Sequence, residues 1–257
     1  LAEIRKIVRT SVKRLRLTDA DRRQRNGQIV SRVQSNAPSL GEPNFQRLCD
    51  ADVRVLFESY DELYFDGLLQ RATADVPLEF RVSSRMTRAG GKTSSWRKNR
   101  NAPIERFEIA VSSTLLLQTF EAGQIDRAIH VTGLECHNRL EALMRVMEHE
   151  LVHLSELLGW GESSCRRDRF QTIAWQTFGH TDHQHALITP RERAASQGIC
   201  PGTFVTFEFE GHLLTGIVNR VTQRATVLVR DPAGERYNDG NTYRKYYVPL
   251  GSLRTGG

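Results

Sequence analysis

The run from Asn138 to Leu158 constrains this chain most. It contains no Pro, and Leu140, Leu143, Met144, Met147, Leu151, Leu154 and Leu158 recur at spacings of three, four or seven before the first Gly at 159. That spacing lines up apolar side chains along one face of an α-helix. Val146, Val152 and Leu157 add apolar residues on other faces, which predicts a helix buried on most sides. Inside it stand three ionisable groups, in His149-Glu150-Leu151-Val152-His153. Buried polar groups without partners cost roughly 2–7 kcal/mol each, so these three need a reason to be there.

Metal ligation supplies that reason. Four residues span slightly more than one helical turn, so His149 and His153 share a face and can direct imidazole nitrogens at one ion. Glu150 is rotated by about 100° from His149, which lets its carboxylate miss the ion and reach a water that the ion activates. His-Glu-x-x-His on a helix is the zinc-and-base pattern of metallohydrolases. The competing structural interpretation is a pair of hydrogen-bonded core histidines with a solvated Glu150.

A catalytic zinc site takes three protein ligands and an open position, so a third donor is required. Downstream candidates are Cys165, Asp168, His180, His183 and His185, and Cys136 and His137 lie just upstream. Cys165 follows a turn over Gly159 to Ser164 and opens a segment expected to be helical as far as Phe178. His180 falls at the far end of that segment. Cys165 is the expected third ligand, with burial as a small apolar side chain as its alternative fate.

The order of these pieces resembles the SprT-like zinc metallopeptidases, the group that includes the Spartan proteases of DNA–protein crosslink repair. The likeness is carried by Leu56-Phe57-Glu58-Ser59-Tyr60-Asp61-Glu62-Leu63-Tyr64-Phe65-Asp66-Gly67-Leu68-Leu69, which is similar to the helix and turn that open the family's domain. Met86-Thr87-Arg88-Ala89-Gly90-Gly91-Lys92-Thr93 is similar to its glycine-containing strand, and Ile109-Ala110-Val111-Ser112-Ser113-Thr114-Leu115-Leu116 to its edge strand running into a helix. The zinc pentad follows, and the likeness covers roughly residues 52–190. It implies an α+β, zincin-like metallopeptidase domain, Zn2+ as cofactor, and protein substrates bound or crosslinked to nucleic acid. In the family the third ligand is a His four residues before an aromatic. Here Phe170 fits the aromatic, but Arg166 stands at the ligand position and Cys165 one residue earlier. A guanidinium has no lone pair to offer a metal.

Charge distribution points to a partner. Of the +6 net charge, much gathers in residues 1–50 and in residues 81–106, where Arg81, Arg85, Arg88, Lys92, Arg97, Lys98, Arg100 and Arg106 face Glu105 alone. Arg88, Lys92, Trp96, Arg97, Lys98 and Arg100 combine cations with a stacking platform, a mixture suited to nucleic acid, DNA in the first place and RNA as an alternative. A solvated basic loop with Trp96 buried is the plainer interpretation.

Four domains of sequence are expected. Residues 1–50 form a basic helical arm, with Ile4, Ile7, Val8, Val12 and Leu15 at helical spacing and partial disorder beyond. Residues 52–190 form the metallopeptidase unit, with strands at Leu78 to Ser83 and Phe107 to Ser112. Thr189 to Ala194 starts a short helix or linker that Gly198 closes, and residues 191–200 are the linker between the units. In residues 201–254 the apolar period changes to that of short strands, Phe204 to Phe209, Leu213 to Val218, Ala225 to Val229 and Tyr246 to Leu250, which predicts a small all-β barrel similar to SH3-like and KOW-type modules. Its Arg220, Arg224, Arg230, Arg244 and Lys245 with Tyr243, Tyr246 and Tyr247 are expected to form an aromatic and cationic face.

No apolar run approaches the ~20 residues of a membrane span, the basic N-terminus lacks a signal-peptide core, and Cys49, Cys136, Cys165 and Cys200 form no Cys-x-x-Cys pair, so a cytoplasmic or nucleoid-associated protein is expected. The chain begins at Leu1 rather than Met, so upstream sequence is expected. The expected activity is that of a zinc metalloendopeptidase with Glu150 as general base. The alternative is a non-catalytic nucleic-acid-binding factor whose zinc site is structural or degenerate.

Overall fold

A computed structural model describes residues 2–99, 102–121 and 127–255. The chain divides into two compact units, one reaching Leu187 and the other beginning at Ile188. Both sheets and helices are present, giving an α+β architecture with eight α-helices among the described residues.

The first unit opens with α1 (Ala2–Arg14) and α2 (Asp19–Asn36). Neither is a loose arm. Val8, Val12, Ile29 and Val33 are fully buried, and Arg9 Nε donates to the Gly159 carbonyl at 2.6 Å. Thr18 begins α2 with a reciprocal cap to Asp21, which satisfies two otherwise orphaned amides. Then come α3 (Asp50–Phe65), α4 (Leu68–Ala72), β1 (Leu78–Ser83), β2 (Gly91–Trp96), β3 (Arg106–Ser112) and α5 (Ser113–Thr119). The three strands form one sheet in the order β1-β3-β2, parallel between β1 and β3 and antiparallel between β2 and β3. β3 is central, which explains why Phe107 to Ser112 are all buried.

A short hairpin of β4 (Ile129–Val131) and β5 (Leu134–Cys136) leads into α6 (Arg139–Trp160). This is the helix anticipated from the periodicity. Asn138 caps it by accepting from the Glu141 amide, and Gly161 ends it in the left-handed region at φ 77°, where a residue without Cβ is favoured. α6 packs on α1, β2 and α7 (Asp168–Phe178). α7 starts three residues later than anticipated, leaving Cys165 in the preceding turn rather than on the helix.

The second unit holds α8 (Pro190–Ser196), the helical alternative for the segment read as a short helix or linker, and five strands: β6 (Phe204–Phe209), β7 (His212–Val221), β8 (Arg224–Arg236), β9 (Thr242–Pro249) and β10 (Arg254–Thr255). They form an antiparallel sheet in the order β10-β6-β7-β8-β9. Ala194 and Ile199 pack with Val205, Phe207, Val218, Ala225, Val227 and Val248 in its core. Of the aromatic face expected here, Tyr247 is exposed, whereas Tyr243 is buried and donates to Asp239 at 2.7 Å. Tyr246 leans on Phe207 and Phe209, and Arg244 and Lys245 are engaged by Asp231 and Glu235. Among the described residues no helix is long and apolar enough to cross a membrane.

Candidate metal centre

The histidines of α6 meet as their spacing demands. His149 Nε2 and His153 Nε2 lie 3.1 Å apart, and the ligand atoms of His149, His153 and Cys165 all fall within 4.8 Å of one another. Two nitrogens at Zn–N distances of 2.0–2.1 Å in a tetrahedron sit about 3.3 Å apart, so the two histidines fit such an ion, and the trio as a whole, spread over up to 4.8 Å, must close in for the thiol to reach it. Among the described residues no other trio of His, Cys, Asp or Glu is placed this closely.

The surroundings fix the ligand chemistry. Ser163 Oγ donates to Glu156 Oε2 at 2.6 Å and therefore accepts from His153 Nδ1 at 2.7 Å. With the proton on Nδ1, the lone pair of His153 is on Nε2, facing the metal position. Glu156 is itself fully buried and paired with Arg169 Nε at 2.5 Å. This relay, Arg169 to Glu156 to Ser163 to His153, was not visible from the sequence. Burial lowers His153 to about 4 and pushes His149 down further, helped by His185 and His153. Both imidazoles are thus neutral near pH 7, the form that binds metal. Burial raises the Cys165 thiol, so this ligand must shed a proton to bind.

Glu150 occupies the same cleft. Its side chain is 1 % exposed, accepts from Thr93 Oγ1 at 2.7 Å, and is raised by burial to about 7, with the Thr93 contact opposing. Gly91 on β2 lies against it so tightly that a Cβ there would stand 2.6 Å from Glu150 Oε1. The cleft has a volume of about 430 Å³, and Glu150, the three candidate ligands, Arg88 and Lys92 are among its walls.

The other candidates for third ligand divide into two sets. His180 is committed elsewhere: its Nε2 contacts Glu148 Oε2 at 2.8 Å, and that buried carboxylate also accepts from Tyr60 at 2.8 Å and Arg145 at 2.7 Å. Cys136 is a buried thiol pushed up to about 12, and His137 is exposed beside Glu135. Asp168 begins α7. His183 and His185 do line the cleft. The His185 ring stands 4.7 Å from that of His149, and its Nε2 is buried without a hydrogen-bond partner.

The residues expected to contact nucleic acid are dispersed. Arg88 and Lys92 are exposed on the cleft. Trp96 ends β2 half-buried, with the Arg106 guanidinium 4.4 Å over its ring, so its own cross-strand partner occupies one stacking face. Arg97 donates to the Gly161 carbonyl at 3.3 Å and Lys98 pairs with Glu105 at 3.6 Å. Arg100 lies outside the described residues.

No family model, curated protein or solved structure matches the chain.

Proposed function

We propose that the first unit is a zincin-like, zinc-dependent endopeptidase, with His149, His153 and Cys165 holding the ion and Glu150 acting as general base. The observation that carries this proposal is the convergence of two neutral imidazole nitrogens 3.1 Å apart, a thiol and a buried carboxyl in one open cleft. The ordered likeness to SprT-like metallopeptidases supports it. When bound, zinc supplies Lewis acidity, lowering the pKa of a water toward ~7 and polarising a carbonyl. Glu150 would take a proton from the water attacking the peptide carbonyl and deliver it to the leaving amine. Thr93 holds the Glu150 carboxylate in place, and the Ser163–Glu156–Arg169 relay keeps His153 in the required tautomer. Arg88 and Lys92 on the cleft would draw substrates carried on DNA or RNA, an attraction that must weaken steeply with salt.

The test is Glu150→Gln, which keeps the side-chain shape but cannot take the proton. The zinc-loaded variant is expected to retain one zinc and lose cleavage of a denatured protein substrate by about 10²-fold or more. Undiminished cleavage excludes Glu150 as the base.

One observation favours a second interpretation. The unpartnered, buried Nε2 of His185 beside His149 is a fourth donor near the ion, and four protein ligands would make a closed structural site in a nucleic-acid-binding factor. X-ray absorption of the zinc form distinguishes the two by counting imidazoles through their outer-shell scattering: two with one sulfur for the peptidase, three with one sulfur for the structural site.

A further inference from the structure

We propose that the cavity on the α7 side of the metal centre is a preformed subsite for a large aromatic side chain of the substrate, next to the bond being cut. This inference rests on the peptidase proposal and adds the substrate class. The cavity has a volume of about 410 Å³, and Phe170, Ala174, Trp175, His180, Asp182 and His183 are among its walls.

Contiguity is the first argument. The Phe170 ring packs against both zinc-binding histidines, at 4.8 Å from His149 and 4.5 Å from His153, and its other surroundings include this cavity. His183 lines both the cavity and the cleft that holds Glu150. A peptide whose carbonyl lies at Glu150 therefore has its neighbouring side chain beside the cavity mouth, since successive Cα atoms are only about 3.8 Å apart.

The second argument is chemical. Phe170 and Ala174, four residues apart, lie on one face of α7, and Trp175, about 100° round the helix from Ala174, borders the same cavity. Phe170 and Ala174 are buried, yet Trp175 is 61 % exposed. An indole left uncovered beside an apolar wall is a stacking surface without a partner, and aromatic rings are its best match. On the rim, Asp182 Oδ1 accepts from the His183 and Gln184 amides at 2.5 and 3.2 Å.

The third argument is rigidity. His180 is fixed from behind by Glu148, itself held by Arg145 and Tyr60, and its ring stacks on Phe178 at 5.5 Å. A pocket whose wall is already ordered loses little freedom on binding.

Hydroxamates test this because they chelate zinc without needing turnover. Titrated against the zinc-loaded full chain, a benzyl-bearing hydroxamate, with the ring on the acyl side or on the amine side, is expected to bind about 10- to 100-fold tighter than acetohydroxamate. Its cyclohexylmethyl counterpart should be weaker, and the ring should quench tryptophan fluorescence. Trp175→Ala should remove the quench and most of the preference. Ala174→Trp, which fills the cavity, should erase the preference. Equal affinity for all the hydroxamates, an equal cyclohexylmethyl ligand, or a preference that survives both variants overturns the subsite while leaving the metal centre standing. A chain that takes up no zinc, or that binds no hydroxamate when loaded, overturns the metal centre and the subsite together.

Discussion

Gly91→Ala separates the position of the proposed base, Glu150, from its chemistry. Gly91 pairs with Val111 at the start of β2 and its φ is not in the left-handed region, so the substitution changes space and not backbone preference. The added methyl would stand 2.6 Å from Glu150 Oε1, 2.8 Å from Glu150 Cγ and 2.8 Å from Val146 Cγ1. Ordinary contact begins at 3.4 Å, so the carboxylate must retreat by about 0.8 Å. Val146 is on the same helix as Glu150, so α6 cannot yield to relieve one contact without relieving both. Overpacking of this kind costs about 1–3 kcal/mol of stability. A misplacement approaching 1 Å costs about 10²-fold in rate. Neither histidine ligand nor Cys165 is among the nearest atoms met by the methyl, so zinc content should not fall. The assay is kcat/KM on a peptide pool by mass spectrometry, with zinc measured on the same sample. A Gly91→Ala protein within about twofold of the parent, beside an inactive Glu150→Gln, would refute the claim that β2 sets the reacting position of the carboxylate.

Three further outcomes are expected. Zinc binding at pH 7.5 should release protons, read by calorimetry in buffers of different ionisation enthalpy; Cys165→Ala should lower the count by about one, because the histidines are already neutral and the raised thiol is the protein ligand that deprotonates. In the metal-free chain the lowered His153 and His185, both to about 4, contribute stability that is present above their unfolded value near 6.5 and is lost as pH falls toward 4. Glu150, raised from 4.5 to about 7, acts oppositely, contributing below 4.5 and not above 7, so Glu150→Gln should stabilise the metal-free chain at pH 8 in urea titrations. Glu148→Gln leaves Arg145 without its buried counter-charge and should cost about 3–5 kcal/mol, roughly 6–20 °C in Tm; an unchanged Tm would mean that this network is not holding the unit together.

Legibility in the sequence followed how local each cause was. α6 could be read because its apolar spacing, the pentad and the capping Asn138 all lie within one stretch. β1 and β3 were visible as β-rich runs. β2 was harder, since Gly-Lys-Thr-Ser-Ser-Trp has no apolar alternation and is a strand only because β3 lies beside it. The same register puts Arg106 opposite Trp96, so a tryptophan that looked available for stacking is half covered. The Ser163–Glu156–Arg169 relay needed three segments to meet. The one local clue was Glu156, three residues after His153 and therefore on the ligand face of a buried helix. His185 reaches the cleft through a bridge to Val131, a contact that chain order alone does not reveal.

A thiol rather than a third imidazole in the proposed metal centre bears on the base. A thiolate carries a negative charge that a neutral imidazole lacks, so the donor set His, His, Cys leaves less positive charge to acidify the attacking water. A less acidified water needs a stronger base. Burial moves Glu150 in that direction, toward 7, while the field of a nearby cation pulls it back. The arrangement works only if the two are balanced, which makes the charge of the third ligand measurable at the carboxylate. Cys165→His restores a neutral donor and should lower the effective pKa of Glu150, moving the acid limb of the kcat/KM profile to lower pH with zinc still bound. An acid limb that stays in place would show that the thiol is not in the coordination sphere, and would pass its role to His183 or His185.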